Sequence, residues 1–349
     1  MAQRFLTGSQ LGIVRSVRID TQLRAPLGDA GREAAELRDA GFDGVFTFEG
    51  PHDVFLPLAA ASAVAGLDLY TNLAIAFPRS PTHLAHTAYD LHQASGGRFA
   101  LGLGTQIRPH IEKRYGATWS RPVARLRELI EATRAVLSCW QDGGRLDVRG
   151  EFYELTLMPP TFNPGPLPGG PPPIWAGALG PRMTRMVAEV ADGLLVHPFN
   201  SDAFVRGQTL PGVDAGLAAS GRARGDFTLV CEAIVCAWRD ERERETAVAG
   251  AKGLVAFYGS TPAYRPVLEA EGAGDLQPEL NRLTKEGRWD ELGGVVDDDL
   301  LERIAVCGEP ADVARRIHDR FGGVADRLAF YTPYEVDPSL TAEVLDRLR

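Results

Sequence analysis

The 349-residue chain reads as a (β/α)8 barrel with insertions after its fourth and seventh strands. Three observations predict this. Eight strand-like runs alternate with helix-like segments; several runs are near-continuously apolar, as parallel strands buried on both faces are; and the two stretches that break the alternation fall where a barrel accepts long loops at its C-terminal rim. A doubly wound open sheet is the alternative the same alternation allows. Residues 1–16 read as an N-terminal extension and residues 17–349 as one domain.

The elements follow in order. Val17 to Leu23 (VRIDTQL) opens the first strand, and a helix is expected from Asp29 to Ala40. Gly44 to Phe48 (GVFTF) is the second strand, and Asp53 has the position and side chain of a cap for a helix over Phe55 to Ala65. Asp68 to Ala76 (DLYTNLAIA) starts as a buried strand, then breaks into FPRSP with no acid or histidine at its end. A ligand there would meet backbone rather than side chains. After a helix over Thr82 to Ala94, Gly96 and Gly97 suit a helix C-cap, and Arg98 to Gly104 is the fourth strand.

The first insertion, Thr105 to Pro172, carries a long helix (Arg121 to Gln141), a hairpin-like pair (RLDVRG, EFYEL) and MPPTFNPGPLPGGPPP, which has too few amide donors for a helix or central strand. Pro173 to Ala178 (PIWAGA) leads into a helix over Pro181 to Ala191 whose start exposes backbone N–H groups, an anion-binding arrangement to which Arg182 adds charge. Gly193 to Pro198 (GLLVHP) and Phe227 to Trp238 (FTLVCEAIVCAW) are the sixth and seventh strands. A helix over Glu241 to Phe257, a second insertion over Tyr258 to Val306, a helix over Ala311 to Phe321 and the strand Arg327 to Pro333 (RLAFYTP) complete the pattern.

Bulk properties narrow the function. A net charge of -9 without a basic patch argues against nucleic acid. Cys139, Cys231, Cys236 and Cys307 have neither CxxC spacing nor a histidine cluster, so neither a zinc site nor a disulfide framework is expected, and a reducing cytoplasm fits. No apolar run reaches the ~20 residues of a membrane span, and the start of the chain lacks a signal-peptide core. HExxH, GxSxG and P-loop patterns are absent, so no metal is expected and the chemistry falls to an organic cofactor.

Several stretches resemble the luciferase-like monooxygenase superfamily, in particular its coenzyme F420-dependent (deazaflavin) oxidoreductases. They are GFDGVFTFEGPHDVFLPLAAAS, TNLAIAFPRSPTHLAHTAYDLHQASGGRFALGLGTQIRPHIEKRYGATWSRPVARLRE, GEFYELTLMPPTFNPGP, PPIWAGALGPRMTRMVAEVADGLLVHPF and FYGSTPAYRPVLEAEG. The resemblance implies a bacterial luciferase-like barrel in which a non-prolyl cis peptide, here between Asn72 and Leu73, presses on the cofactor ring. It implies that Gln22 and Glu49 end strands beside the ring, and that Gly104, Thr105, Gln106 and His110 line the ring and side chain. Ala176, Gly177, Ala178, Leu179, Gly180, Pro181 and Arg182 would hold phosphate, with Gly193 a further contact; His197, Tyr331 and Tyr334 would be rim residues.

It further implies hydride transfer between the deazaflavin C5 carbon and a small organic substrate, with Glu49, His52 or His110 moving the proton. A reduced-FMN-dependent monooxygenase and a non-catalytic flavin-binding barrel are the alternatives. Sugar-phosphate dehydrogenases of this group carry a histidine where Gly50 stands and a glutamate where Ile107 stands, which argues against that substrate. A homodimer through the Leu84, Ala85, Ala88 and Leu91 face is implied, though those residues could equally face the barrel. Phe257, Tyr258, Tyr264 and Trp289 would line a substrate pocket or form the second insertion's own core.

Overall fold

The computed structural model describes residues 17–349, so the N-terminal extension lies outside the described part. Eight parallel strands close a barrel: β1 Arg18–Gln22, β2 Gly44–Thr47, β3 Asp68–Thr71, β4 Phe99–Gly104, β5 Ile174–Ala178, β6 Gly193–Val196, β7 Thr228–Ala237 and β8 Arg327–Tyr331. Each pairs with the next, and β8 pairs with β1, Ala329 opposite Asp20. The open-sheet alternative is thereby excluded, because no free edge remains in the closed ring.

Apolar side chains on the outer face of the strands pack under the surrounding helices in one continuous cluster that includes Leu69, Leu101, Leu194 and Leu328. Each such side chain contributes roughly 1.5–3 kcal/mol on burial. The helix Pro81–Ala94 starts with Ser80 accepting from the His83 amide and Pro81 in the first turn, and its Leu84, Ala85, Ala88 and Leu91 are buried against this core. That face is therefore occupied within the chain and is not open to a second copy.

Alternation along the strands turns Phe46, Tyr70, Ala100, Trp175, Leu195, Val230 and Ala329 to the barrel axis, where they form a separate cluster. Two residues further along each strand, the same face carries Phe48, Asn72, Gly102, Gly177, His197, Glu232 and Tyr331, while on β1 Gln22 follows Asp20. This upper layer lines the C-terminal mouth.

Two elements go beyond what the sequence pattern predicts. Leu210–Ser220 is a helix between β6 and β7 although its sequence, LPGVDAGLAAS, holds a proline and two glycines that lower helix propensity. Packing decides there: a Cβ on Gly216 would lie 2.6 Å from Ala188 Cβ on the helix Pro181–Val190, so glycine permits the two helices to meet. The second insertion is mostly helical, and its short strand Val306–Gly308 pairs with the extended end of β7. Its core joins Phe199, Phe204 and Ile234 to Val255, Leu268, Leu280 and Leu300, which anchors it beside the mouth. The first insertion carries the expected hairpin, Val148 opposite Leu155.

Candidate functional site

The third strand is interrupted at the mouth. Tyr70 pairs with Ala100, but the next pairing is Ala74 with Leu103, so three residues on β3 face two on β4. This is a bulge, and the Asn72–Leu73 peptide inside it is cis, as the resemblance implied. Thr71 bridges the interrupted ladder: its hydroxyl donates to the Gly102 carbonyl at 2.6 Å and accepts from the Gly102 amide at 2.8 Å. The displaced Leu73 side chain lies over β4 and β5. A Cβ on Gly104 or on Gly177 would stand 2.5 Å from Leu73 Cδ2, so these glycines make room for the bulge residue rather than directly for a flat ligand.

Glu49 secures the bulge from the side. Its Oε2 accepts from the Ile75 amide at 2.8 Å and from Arg79 Nη1 at 2.6 Å, and its Oε1 accepts from the Tyr115 hydroxyl at 2.9 Å. Burial, followed by the hydrogen bond to Glu49, pushes the Tyr115 phenol up to about 12, so it remains a donor. Both oxygens of Glu49 are thus engaged in holding the strand end.

Across the mouth, β7 contributes an acid that the sequence reading did not single out. Glu232 Oε2 accepts from Asn72 Nδ2 at 2.9 Å, a bond that spans the barrel from β7 to β3 beside the cis peptide. Oε1 has no hydrogen-bond partner among the described residues. Burial pushes the Glu232 carboxyl up to about 8, opposed by the Asn72 hydrogen bond, so it is protonated at neutral pH. The signal for it was one glutamate inside FTLVCEAIVCAW, a run otherwise suited to a fully buried strand.

His197, two residues beyond the axial Leu195 of β6, joins the same wall. Its Nδ1 accepts from the Phe199 amide at 3.1 Å, which leaves the ring proton on Nε2. Burial lowers its pKa to about 3, so the ring is neutral. Tyr258 and Tyr264 from the second insertion pack on it with ring centroids 4.6 Å away in each case. Phe257 and Trp289 stand instead on the exterior, 47% and 55% exposed, so the four aromatics split between the mouth and the outer surface. Tyr331 is raised by burial and then by Glu232. Tyr334, past the end of β8, is tied to the extended end of β7, its hydroxyl accepting from the Ala237 amide at 2.9 Å.

Beside Gly177, the strand β5 ends in Ala176, Gly177 and Ala178, and the chain turns through Leu179 and Gly180 into Pro181–Val190. Pro181 occupies the first turn and no side chain caps the helix start. Thr184, in the same turn, has a buried hydroxyl with no partner among the described residues, and Arg182 is exposed. Backbone amides and a cation at a helix start suit a phosphate or carboxylate tail.

The remaining candidates spread out. Gln22 faces the mouth, and Thr105 and Gln106 follow β4 there, Gln106 with φ +57°. His52 is exposed on the loop after β2, and His110 is exposed on the short helix Arg108–Lys113 that follows β4. Asp53 acts as the expected cap, its Oδ1 accepting from the Phe55 and Leu56 amides at 2.8 and 2.9 Å. Gly193 begins β6 and so lies at the opposite end of the barrel, where a Cβ would meet the Thr228 carbonyl at 2.6 Å. A cavity of about 620 Å³ also opens at that end, lined by Arg18, Asp68, Arg98, Trp175 and Arg327. The convergent polar groups and both insertions stand instead at the C-terminal mouth, which is therefore the site assigned. Among the described residues no cluster of histidine, cysteine, aspartate or glutamate could hold a metal, and no helix is long and apolar enough to cross a membrane.

Comparison with known proteins identifies relatives that span most of the chain. The profile of the luciferase-like monooxygenase family matches residues 9–327. An uncharacterized protein of Mycobacterium tuberculosis (strain H37Rv) is 44% identical over 319 residues, covering 91% of this chain and 94% of its own. Another protein of that organism, provisionally named a coenzyme F420-dependent oxidoreductase, is 31% identical over 304 residues, 81% of this chain and 84% of its own. Among solved structures, the coenzyme F420-dependent tetrahydromethanopterin reductase of Methanopyrus kandleri superposes with a TM-score of 0.75 at 19% identity, covering 95% and 96% of the two chains. The EDTA monooxygenase of Chelativorans sp. BNC1 does so with 0.74 at 17%, covering 96% and 93%. At these identities the two structural likenesses speak to the fold.

Proposed function

The chain belongs to the luciferase-like monooxygenase family, and from that premise we propose that it is a coenzyme F420-dependent oxidoreductase that exchanges a hydride with a small organic substrate. The observation that carries this reading is the mouth itself. A bulge with a cis peptide, backed by Leu73 over two strand-end glycines, forms one wall, and a buried, protonated acid faces it across the barrel. When bound, the deazaflavin supplies the carbon that gives or takes the hydride.

The chain's own residues do the rest. Thr71 and the Glu49–Arg79 pair hold the bulge in place, and the helix start at Pro181 offers its amides to an anionic tail. The second insertion brings Tyr258 and Tyr264 against His197, which narrows the mouth and keeps bulk water from it. The relative with F420 in its name supports the deazaflavin over FMN.

A reduced-FMN-dependent monooxygenase is the second reading, favoured by the fold's equal likeness to the EDTA monooxygenase. Fluorescence titration of the apo protein with oxidised F420 and with FMN separates the two. Micromolar or tighter F420 binding with much weaker FMN binding is expected; the reverse preference would favour the monooxygenase, and binding of neither would leave a non-catalytic barrel. A homodimer in solution is part of the same proposal, formed through a face other than the buried one of Pro81–Ala94.

A further inference from the structure

Glu232 has one oxygen committed and one free. Asn72 holds Oε2 at 2.9 Å, so the acidic hydrogen of the neutral carboxyl resides on Oε1, which has no partner among the described residues. Glu232 lies two residues beyond the axial Val230, in the layer of the mouth that also carries Asn72, His197 and Tyr331. It sits directly beside the Asn72–Leu73 peptide. No other acid occupies this layer, and Glu49 has both oxygens engaged.

The groups facing Glu232 are all uncharged at neutral pH. They are Asn72 from β3, Tyr70 beneath it, Tyr331 from β8, His197 from β6 and Tyr258 from the second insertion, with Tyr264 behind His197. Among the described residues no guanidinium hydrogen-bonds Glu232: Arg24, whose charge bears on Tyr331, donates through Nη2 to Thr332, and Arg320 donates to the Asn200 and Ile304 carbonyls. A carboxylate or phosphate set against this wall would meet neutral amide, phenol, imidazole and carboxyl groups, and a neutral oxygen acceptor would find a donor.

We propose that Glu232 is the catalytic residue that exchanges a proton with the substrate oxygen, and that this part of the mouth takes an uncharged carbonyl or carbinol compound rather than an anionic one. The inference rests on the hydride-transfer reading above. In the reducing direction the carbonyl carbon receives the hydride from the reduced deazaflavin, and the carbonyl oxygen takes the proton of Glu232 Oε1. The O–H bond of the carboxyl breaks as that of the carbinol forms, and solvent later returns a proton to the carboxylate. The oxidising direction is the reverse. The raised affinity of Glu232 for its proton matches this role, since a general acid works best when it titrates near the operating pH.

Two measurements test it, and their failures are distinguishable. The first needs no cofactor: infrared difference spectroscopy of the apo protein during a pH titration. A protonated-carboxyl C=O band that is present at neutral pH, fades as the pH is raised through about 8 and is missing in Glu232→Gln is expected; a folded wild type without the band overturns the proposal. The second supplies reduced F420 with cyclohexanone and acetophenone, and separately with pyruvate and 2-oxoglutarate. Turnover of the uncharged ketones is expected, with kcat lowered about 100-fold or more in Glu232→Gln, F420 affinity unchanged and the pH profile losing its Glu232 limb. Preference for the 2-oxo acids, silence of the whole panel, or a Glu232→Gln variant as active as wild type overturns it. Failure of wild type to bind F420 would instead sink the functional reading, with the infrared band still deciding the state of Glu232.

Discussion

Asp20 and Glu232 both face the barrel axis and are both buried, 0% and 5% exposed, but they are held in opposite ways. Asp20 accepts from Arg327 Nη2 at 2.6 Å and Nε at 2.7 Å and from the Tyr70 hydroxyl at 3.0 Å; Arg327 also donates to Asp68 at 2.7 Å. Burial leaves the Asp20 carboxyl above its ordinary value, and the Arg327 fork and the Tyr70 hydroxyl limit that rise in a buried ion pair. Gly44 leaves the space for it, since a Cβ there would lie 2.6 Å from Arg327 Nη2. Glu232, by contrast, has an amide for a partner and no cation, so burial wins and it keeps its proton. The paired acid fixes the N-terminal end of the barrel, and the unpaired one leaves a donor at the C-terminal mouth. A charge matched by a fork is structural; an acid left neutral is available for chemistry.

The largest effect should come from breaking the ion pair. Asp20→Ala leaves Arg327 buried without its main partner and is expected to cost about 3–5 kcal/mol of stability, read as a lower urea midpoint with an unchanged slope.

Glu232→Gln should behave differently. Glu232 holds its proton up to about 8 when folded and only to the ordinary carboxylate range when unfolded. The native state therefore binds more protons between those values, and the stability tied to this residue is full below that range and lost as the pH rises through 8. The wild type should lose up to roughly 4 kcal/mol on this account between mildly acidic and mildly alkaline pH, and Glu232→Gln should lack that decline. Parallel declines in urea titrations of the two proteins would show that Glu232 is not the protonated acid described.

Smaller effects separate wall from anchor. Gly104→Ala sets a methyl against Leu73 and should destabilise by about 1–3 kcal/mol while weakening F420 binding; adding Leu73→Ala should restore stability more than affinity. Tyr115→Phe removes one hydrogen bond to Glu49, about 1 kcal/mol, and a thermal melt should register only that small loss.

Much of this was legible in the sequence. The eight strands, both insertions, the bulge at Asn72–Leu73 and the Asp53 cap follow from apolar periodicity, local turn chemistry and motif resemblance. Side-chain pairing across the barrel was not legible. Glu232 meets Asn72 only because β7 and β3 stand on opposite sides of the ring, 160 residues apart in sequence. Glu49 reads as a free acid at a strand end until Arg79 and Tyr115 arrive from later elements. The helix Leu210–Ser220 is invisible to propensity because close contact through Gly216 outweighs it. Gly193 belongs to a motif shared with the β5 loop, yet as the first residue of β6 it stands at the other end of the barrel.

The most direct test is a crystal structure of the protein soaked with oxidised F420. The deazaflavin ring is expected against the Asn72–Leu73 peptide at the C-terminal mouth, with its tail at the start of Pro181–Val190 and Glu232 facing the open side of the ring. A ring bound in the cavity at the N-terminal end, beside Arg18, Arg98 and Trp175, would contradict it.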